Sequence, residues 1–129
     1  MRRLYAGFAG ALLLASFSCI SDRAEVTAPV DNAGCTIPGN AVGPDRVAVL
    51  IRGFAFLPDT IHVRRGTTVT WVNCETETVE AHTSTSEEGA WESNLIGPGA
   101  AYSHTFHGQG TFPYFCRPHP FMRAAIIVE

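Results

Sequence analysis

Lysine is missing altogether from the 129 residues, so all nine basic side chains are arginines. Methionine is scarce too: there are two, and one is the initiator Met1. A protein that hands metal ions from partner to partner favours exposed, flexible stretches rich in methionine and histidine, and none is present. No repeat at a fixed period is visible. No glycine-rich phosphate loop follows a strand-like run, and no Ser–His–Asp grouping stands out, which argues against phosphate-loop and triad chemistry. There is no Cys-x-x-x-Cys, the spacing that would point to a dinuclear copper site. Prolines and glycines interrupt the chain often enough that no stretch suits a long helix.

The first stretch, "MRRLYAGFAGALLLASFSC", combines two arginines, an apolar run too short for a comfortable membrane span, and small residues. Residues 1–18 are therefore expected to be an export signal. Cys19 stands where a lipoprotein would be cut and lipidated. Ordinary cleavage after Ser16-Phe17-Ser18 is the competing outcome. Loss of Arg2 and Arg3 leaves seven arginines against twelve acids, an acidic chain that disfavours nucleic acid or an anionic membrane surface as partner. Contact with a membrane is expected only through the lipid on Cys19, in the periplasm or cell envelope. Residues 19–45 show no sustained period and are rich in Pro, Gly, Asn and Asp, as a flexible tether would be.

From Arg46 to Glu129 the punctuation changes to short apolar runs separated by turn residues. "RVAVLIRGFAF" alternates weakly. "DTIHVRRGTTVTWVN" reads as two strands joined by a turn at Arg65-Gly66. "AAYSHTF", the turn "HGQG", "TFPYFC" and "AAIIVE" follow. Six to eight short strands in about 85 residues predict an all-β, two-sheet Greek-key β-sandwich.

The chemistry is concentrated in "YFCRPHPFM", residues 114–122. Cys116, His119 and Met122 are three apart, with Pro118 and Pro120 stiffening the chain between them. A fourth donor is best supplied by His82 in "VEAHTST", which opens an alternating segment after the Trp71 strand. Two imidazoles, a thiolate and a thioether suit copper that cycles between Cu(I) and Cu(II). His62 alternates outward from Ile61 and Val63, His104 shares a face with Tyr102 and Phe106, and His107 opens a turn, so none of these three is a candidate ligand. Trp71, Phe54, Phe56, Phe106 and Phe112 are expected in the core.

"CRPHPFMRAAIIVE" resembles the C-terminus of amicyanin-like cupredoxins, relatives of plastocyanin. The resemblance continues upstream through "FAFLPDTIHVRRGTTVTWVN", "HTSTS", "GAWESNLIGPG" and "SHTFHGQGTFPYFC". It implies a cupredoxin fold over residues 46–129 and one type 1 copper held by His82, Cys116, His119 and Met122. It also implies a monomeric electron carrier rather than an enzyme, with no small-molecule substrate. Its partners would be redox proteins such as a c-type cytochrome or a dehydrogenase. The alternative is a copper carrier or assembly protein of the same fold without rapid redox turnover. The chain departs from the family at three places. "CETETVEA" ahead of His82 is longer, Thr83 stands in place of Asn, and Arg117 in place of Thr or Ser.

With Cys116 and Cys19 otherwise engaged, Cys35 and Cys74 remain to form a disulfide in an oxidising compartment. The acids Glu75, Glu77, Glu80, Glu87 and Glu88 around His82 are expected to steer a basic partner toward the site. Arg117 brings a positive charge close to it.

Overall fold

The strand-like runs of the sequence fold into eight strands, with no helix among the described residues. They are β1 (Arg46–Arg52), β2 (Ala55–Leu57), β3 (Thr60–Val63), β4 (Thr68–Asn73), β5 (Thr85–Ser86), β6 (Ala101–Thr105), β7 (Gly110–Phe115) and β8 (Arg123–Val128). The structure is a computed structural model that describes residues 35–76 and 80–129. The leader, Cys19, the rest of the segment up to residue 34, and Glu77 lie outside the described residues.

Two four-stranded sheets form, ordered β2-β1-β4-β6 and β3-β8-β7-β5. β1 runs parallel to β4 and β3 parallel to β8, while the other pairs are antiparallel. The all-β, two-sheet expectation holds, with one difference in connectivity. The turn at Arg65-Gly66 does not close a hairpin: it carries the chain out of the second sheet, where β3 lies, into the first, where β4 lies. Ile61 and Val63 therefore meet Val69 and Trp71 across the core rather than along one sheet face.

A second difference concerns "RVAVLIRGFAF", which breaks into β1 and β2 at a two-residue loop. Gly53 and Phe54 both have left-handed φ, 59° and 56°. That pair of values is the signature of the type I′ hairpin turn, whose twist matches the flanking strands. The usual sequence marker is Asn-Gly or Asp-Gly, so Gly-Phe does not announce it.

Alternation along β1 sends Val49 and Ile51 into the main core, with Trp71, Tyr114 and Ile126. Leu50 points to the other face and is buried as well, together with Val72 and Cys74. What covers that face is the end of the segment expected to be a tether. Cys35 and Ile37 pack against Leu50 and Val72, and Cys35 is joined to Cys74 by a disulfide, as the cysteine count implied. Burial of both faces is what a parallel β1–β4 pair demands. Elsewhere on β4, hydroxyl pairs face the neighbouring strand: Thr68–Thr105 and Thr70–Ser103, each at 2.8 Å.

Candidate metal centre

β7 delivers Cys116 to one end of the sandwich, and seven residues later the chain enters β8. Between them the backbone folds on itself. The His119 amide donates to the Cys116 carbonyl at 3.2 Å and the Met122 amide to the His119 carbonyl at 2.9 Å. The Cys116 amide closes the loop by donating to the Met122 carbonyl at 3.1 Å. Pro118 and Pro120 fix φ at two of the intervening positions. The three-residue spacing thus becomes two consecutive turns, with side chains presented from a rigid frame.

His82 arrives from the other direction. It is held by a two-way backbone bridge to Ile96, at 3.1 and 2.7 Å, and is fully buried. Its Nδ1 lies 3.6 Å from Cys116 Sγ, and His119 Nδ1 lies 3.7 Å from the same sulfur. The donor atoms of His82, Cys116 and His119 all fall within 4.8 Å of one another. Metal–nitrogen bonds of about 2.1 Å and metal–sulfur bonds of about 2.3 Å meeting at a tetrahedral angle separate N from S by about 3.6 Å. The cluster therefore has the dimensions of a shared metal position. Met122 closes the loop and is buried in the same core cluster as Cys116. Soft sulfur beside imidazole is the donor set that fits copper.

The neighbours of the sulfur show how Thr83 and Arg117 are accommodated. The Thr83 amide donates to Cys116 Sγ at 3.3 Å. The Thr83 hydroxyl accepts from the Arg117 amide at 2.8 Å and contacts the Thr85 hydroxyl at 3.0 Å. A threonine side chain therefore ties the residue after His82 to the residue after Cys116. The Arg117 guanidinium turns away to pair with Glu92, which offsets the positive charge expected beside the site.

Two residues that sequence reasoning assigned elsewhere belong to this site. Glu75 was expected among the exposed acids; it is 8% exposed. Its carboxylate accepts from the amides of Gly53 and Phe54, each at 3.0 Å, and so pins the left-handed turn. It also lies 3.3 Å from His82 Nε2, off the line of a straight hydrogen bond. Burial pushes its pKa up, but the two amides and His82 together bring it below the ordinary carboxylate value. In His82 the order is reversed: burial, then nearby His119, outweigh the carboxylates and lower its pKa, which favours the neutral imidazole a metal needs. Phe54, expected in the core, is the second. The turn aims its ring edge-on at both histidines, with centroids 5.6 Å from His82 and 5.0 Å from His119. Both roles depend on contacts between segments at least twenty residues apart in sequence, and nothing local in the sequence signals them.

The remaining acids are thinned out as a steering field. Glu87 pairs with Arg123 and Glu92 with Arg117. Glu75 is buried, and Glu80 lies beside His119, while Glu80, Glu87, Glu88 and Glu92 are all exposed. Away from the site, His62 pairs with Glu129 at 3.0 Å, and His104 stacks on Trp91.

Residues 46–129 match the family described as copper binding proteins, plastocyanin/azurin family. Amicyanin from Paracoccus versutus is 34% identical over 113 residues, covering 84% of this chain and 80% of its own. Amicyanin from Paracoccus denitrificans is 32% identical over 124 residues, covering 92% and 91%. The crystal structure of the Paracoccus versutus amicyanin superposes with a TM-score of 0.60 at 36% identity, over 70% of this chain and 87% of that one. A His–Cys–His cluster of metal-binding dimensions, in a sandwich of this topology, thus comes together with sequence likeness across the whole folded part. The chain belongs to the plastocyanin/azurin family of copper binding proteins, and its cluster fits a single type 1 copper.

Proposed function

We propose that this chain is an exported electron carrier in which His82, Cys116, His119 and Met122 hold one copper ion. The observation that carries the reading is the pair of Nδ1 atoms 3.6 and 3.7 Å from Cys116 Sγ in a site already assembled by backbone hydrogen bonds. Bound copper would supply a one-electron Cu(II)/Cu(I) couple, tuned by thiolate and imidazole donors and a weak thioether. What the protein's own residues contribute is rigidity and access. The loop bonds from Cys116 to Met122 and the Thr83–Arg117 tie hold the donors in a hydrogen-bonded frame that does not depend on the metal. Little then has to move when an electron arrives. His82 and Cys116 are buried, whereas the His119 side chain is 18% exposed. Its ring is flanked by Phe54 and by Phe121, which is 71% exposed. This apolar rim around one accessible imidazole is the exchange face for a redox protein, a c-type cytochrome or a dehydrogenase. Contacts of this kind are small and separate quickly.

Export to the periplasm or cell envelope, with Cys19 lipidated, completes the reading and agrees with the Cys35–Cys74 disulfide, which needs an oxidising compartment. The test is copper titration of the chain with absorption spectroscopy and voltammetry. A strong visible thiolate-to-copper band and a reversible one-electron wave are expected. Cys116→Ser removes the band while leaving the fold. An intensely blue Cys116→Ser protein, or a native copper protein with no reversible wave, refutes the proposal.

A further inference from the structure

Each of the two histidines turns Nδ1 toward Cys116 and Nε2 toward a carboxylate. For buried His82 the carboxylate is Glu75. For His119 it is Glu80, whose Oε2 lies 3.8 Å from Nε2. Glu80 belongs to the stretch "CETETVEA" directly ahead of His82. Its side chain is 48% exposed, but its backbone is fixed at the mouth of the site. The Glu80 carbonyl accepts from Asn73 Nδ2 at 2.9 Å, and the same amide group donates to the Ile96 carbonyl at 2.8 Å. Asn73 is fully buried, so it ties Glu80 to the bridge that carries His82. The His119 ring also lies against the rings of Phe54, Phe121 and His82.

We infer that Glu80 is a positioning residue for His119, holding its ring in the Nε2–H tautomer and setting a negative charge beside the surface-reaching donor. A neutral imidazole carries one proton, and a carboxylate can only accept. A carboxylate on the Nε2 side therefore keeps the proton there and leaves the Nδ1 lone pair facing Cys116. Carboxylate partners of this kind orient metal-binding imidazoles and strengthen them as donors. At 3.8 Å the pair is longer than a hydrogen bond, so its main effect in this conformation is electrostatic and is weakened by solvent and salt. A negative charge at that point favours the more positive, oxidised site. Removing it raises the midpoint potential.

The inference rests on the copper reading for its effect on potential, but not for its effect on the tautomer. The experiment separates the two. In the copper-free full chain at about pH 8, where imidazole is ordinarily neutral, long-range proton–nitrogen correlation spectra report the His119 tautomer. The native chain is expected to show the Nε2–H form, and Glu80→Ala to gain the Nδ1–H form. In the copper-loaded chain, Glu80→Gln is expected to raise the midpoint potential, with a shift that shrinks as salt is added. Unchanged ring nitrogen shifts in Glu80→Ala, or an unchanged potential in Glu80→Gln, overturns the inference. A native chain that binds copper without the thiolate band overturns the copper reading instead, and the copper-free spectra still decide the tautomer.

Discussion

Replacing Glu75 with alanine removes the acceptor shared by the Gly53 and Phe54 amides, each 3.0 Å from the carboxylate. Hydrogen bonds to a charged group contribute about 1.5–3 kcal/mol each, and buried donors left unpaired account for most of the loss. Two such donors give roughly 3–6 kcal/mol, and water entering the vacated space makes the lower end, about 3 kcal/mol, the expected figure. Phe54 sits at a φ of 56°, a conformation that is unfavourable by about 1–2 kcal/mol for a residue with a Cβ. The carboxylate is what holds it there. For a domain of this size the melting temperature should fall by roughly 10–20 °C. The assay is urea unfolding of the copper-free chain, read at constant m-value so that the change in midpoint reports stability. pH supplies an internal check. Because the folded-state pKa of Glu75 lies below the ordinary 4.5, its contribution is fully present above that value and is lost as pH falls through the lowered one. The acid limb of the stability curve should therefore be shallower in Glu75→Ala than in the native chain. A loss below about 1 kcal/mol with an unchanged acid limb would mean that the turn stands without Glu75, and the reasoning fails.

The disulfide joins residues 39 apart in sequence, a separation for which the chain-entropy model gives about 4 kcal/mol. Reduction, or the paired change Cys35→Ala and Cys74→Ala, should lower stability by up to that amount; alkylation of both thiols in unreduced native protein would contradict the bond. Met122→Gln should retain copper but lower the midpoint potential, since a harder oxygen donor favours Cu(II), and a raised potential would count against an axial thioether. Thr83→Val deprives the Arg117 amide of its 2.8 Å acceptor and should lower stability by about 1–2 kcal/mol in thermal unfolding, with no loss expected if water takes the place of the hydroxyl. His104 has its pKa lowered by burial and then by His107, so the stability of its neutral form is present above the ordinary 6.5 and is lost as pH falls through the lowered value. His104→Phe should flatten that limb, and an unchanged pH profile would show that His104 contributes nothing to it.

The parts of the candidate site legible in sequence are those in which chemistry and spacing coincide in one short stretch. Cys116, His119 and Met122 stand within seven residues, and the prolines between them advertise a stiff loop. His82 could be chosen because few histidines begin an alternating run. Glu75 was misjudged because charge in a loop usually means solvent, and only the approach of the β1–β2 turn gives that carboxylate something to accept from. Phe54 was assigned to the core for a similar reason: an aromatic beside glycine carries no mark of left-handed backbone. In the fold, strand content followed from the punctuation, whereas the passage of β3 and β4 into different sheets did not. A turn and two alternating strands look the same whether the partner lies alongside or across the core. Beyond the expected Cys35–Cys74 bond, the packing of Cys35 and Ile37 was not legible, because it depends on an outer face of β1 and β4 that only the assembled sheet exposes.

The order of the strands has a consequence for how the protein behaves in a crowded compartment. Each sheet ends in its shorter members: β2 with three residues and β6 with five on one side, β3 with four and β5 with two on the other. A foreign strand would find few unpaired rungs on any of these borders, while the long ladders of β1, β4, β7 and β8 are enclosed. Short borders are one of the ways in which sheet proteins avoid joining edge to edge. A neighbouring copy therefore finds little free edge along which to extend either sheet.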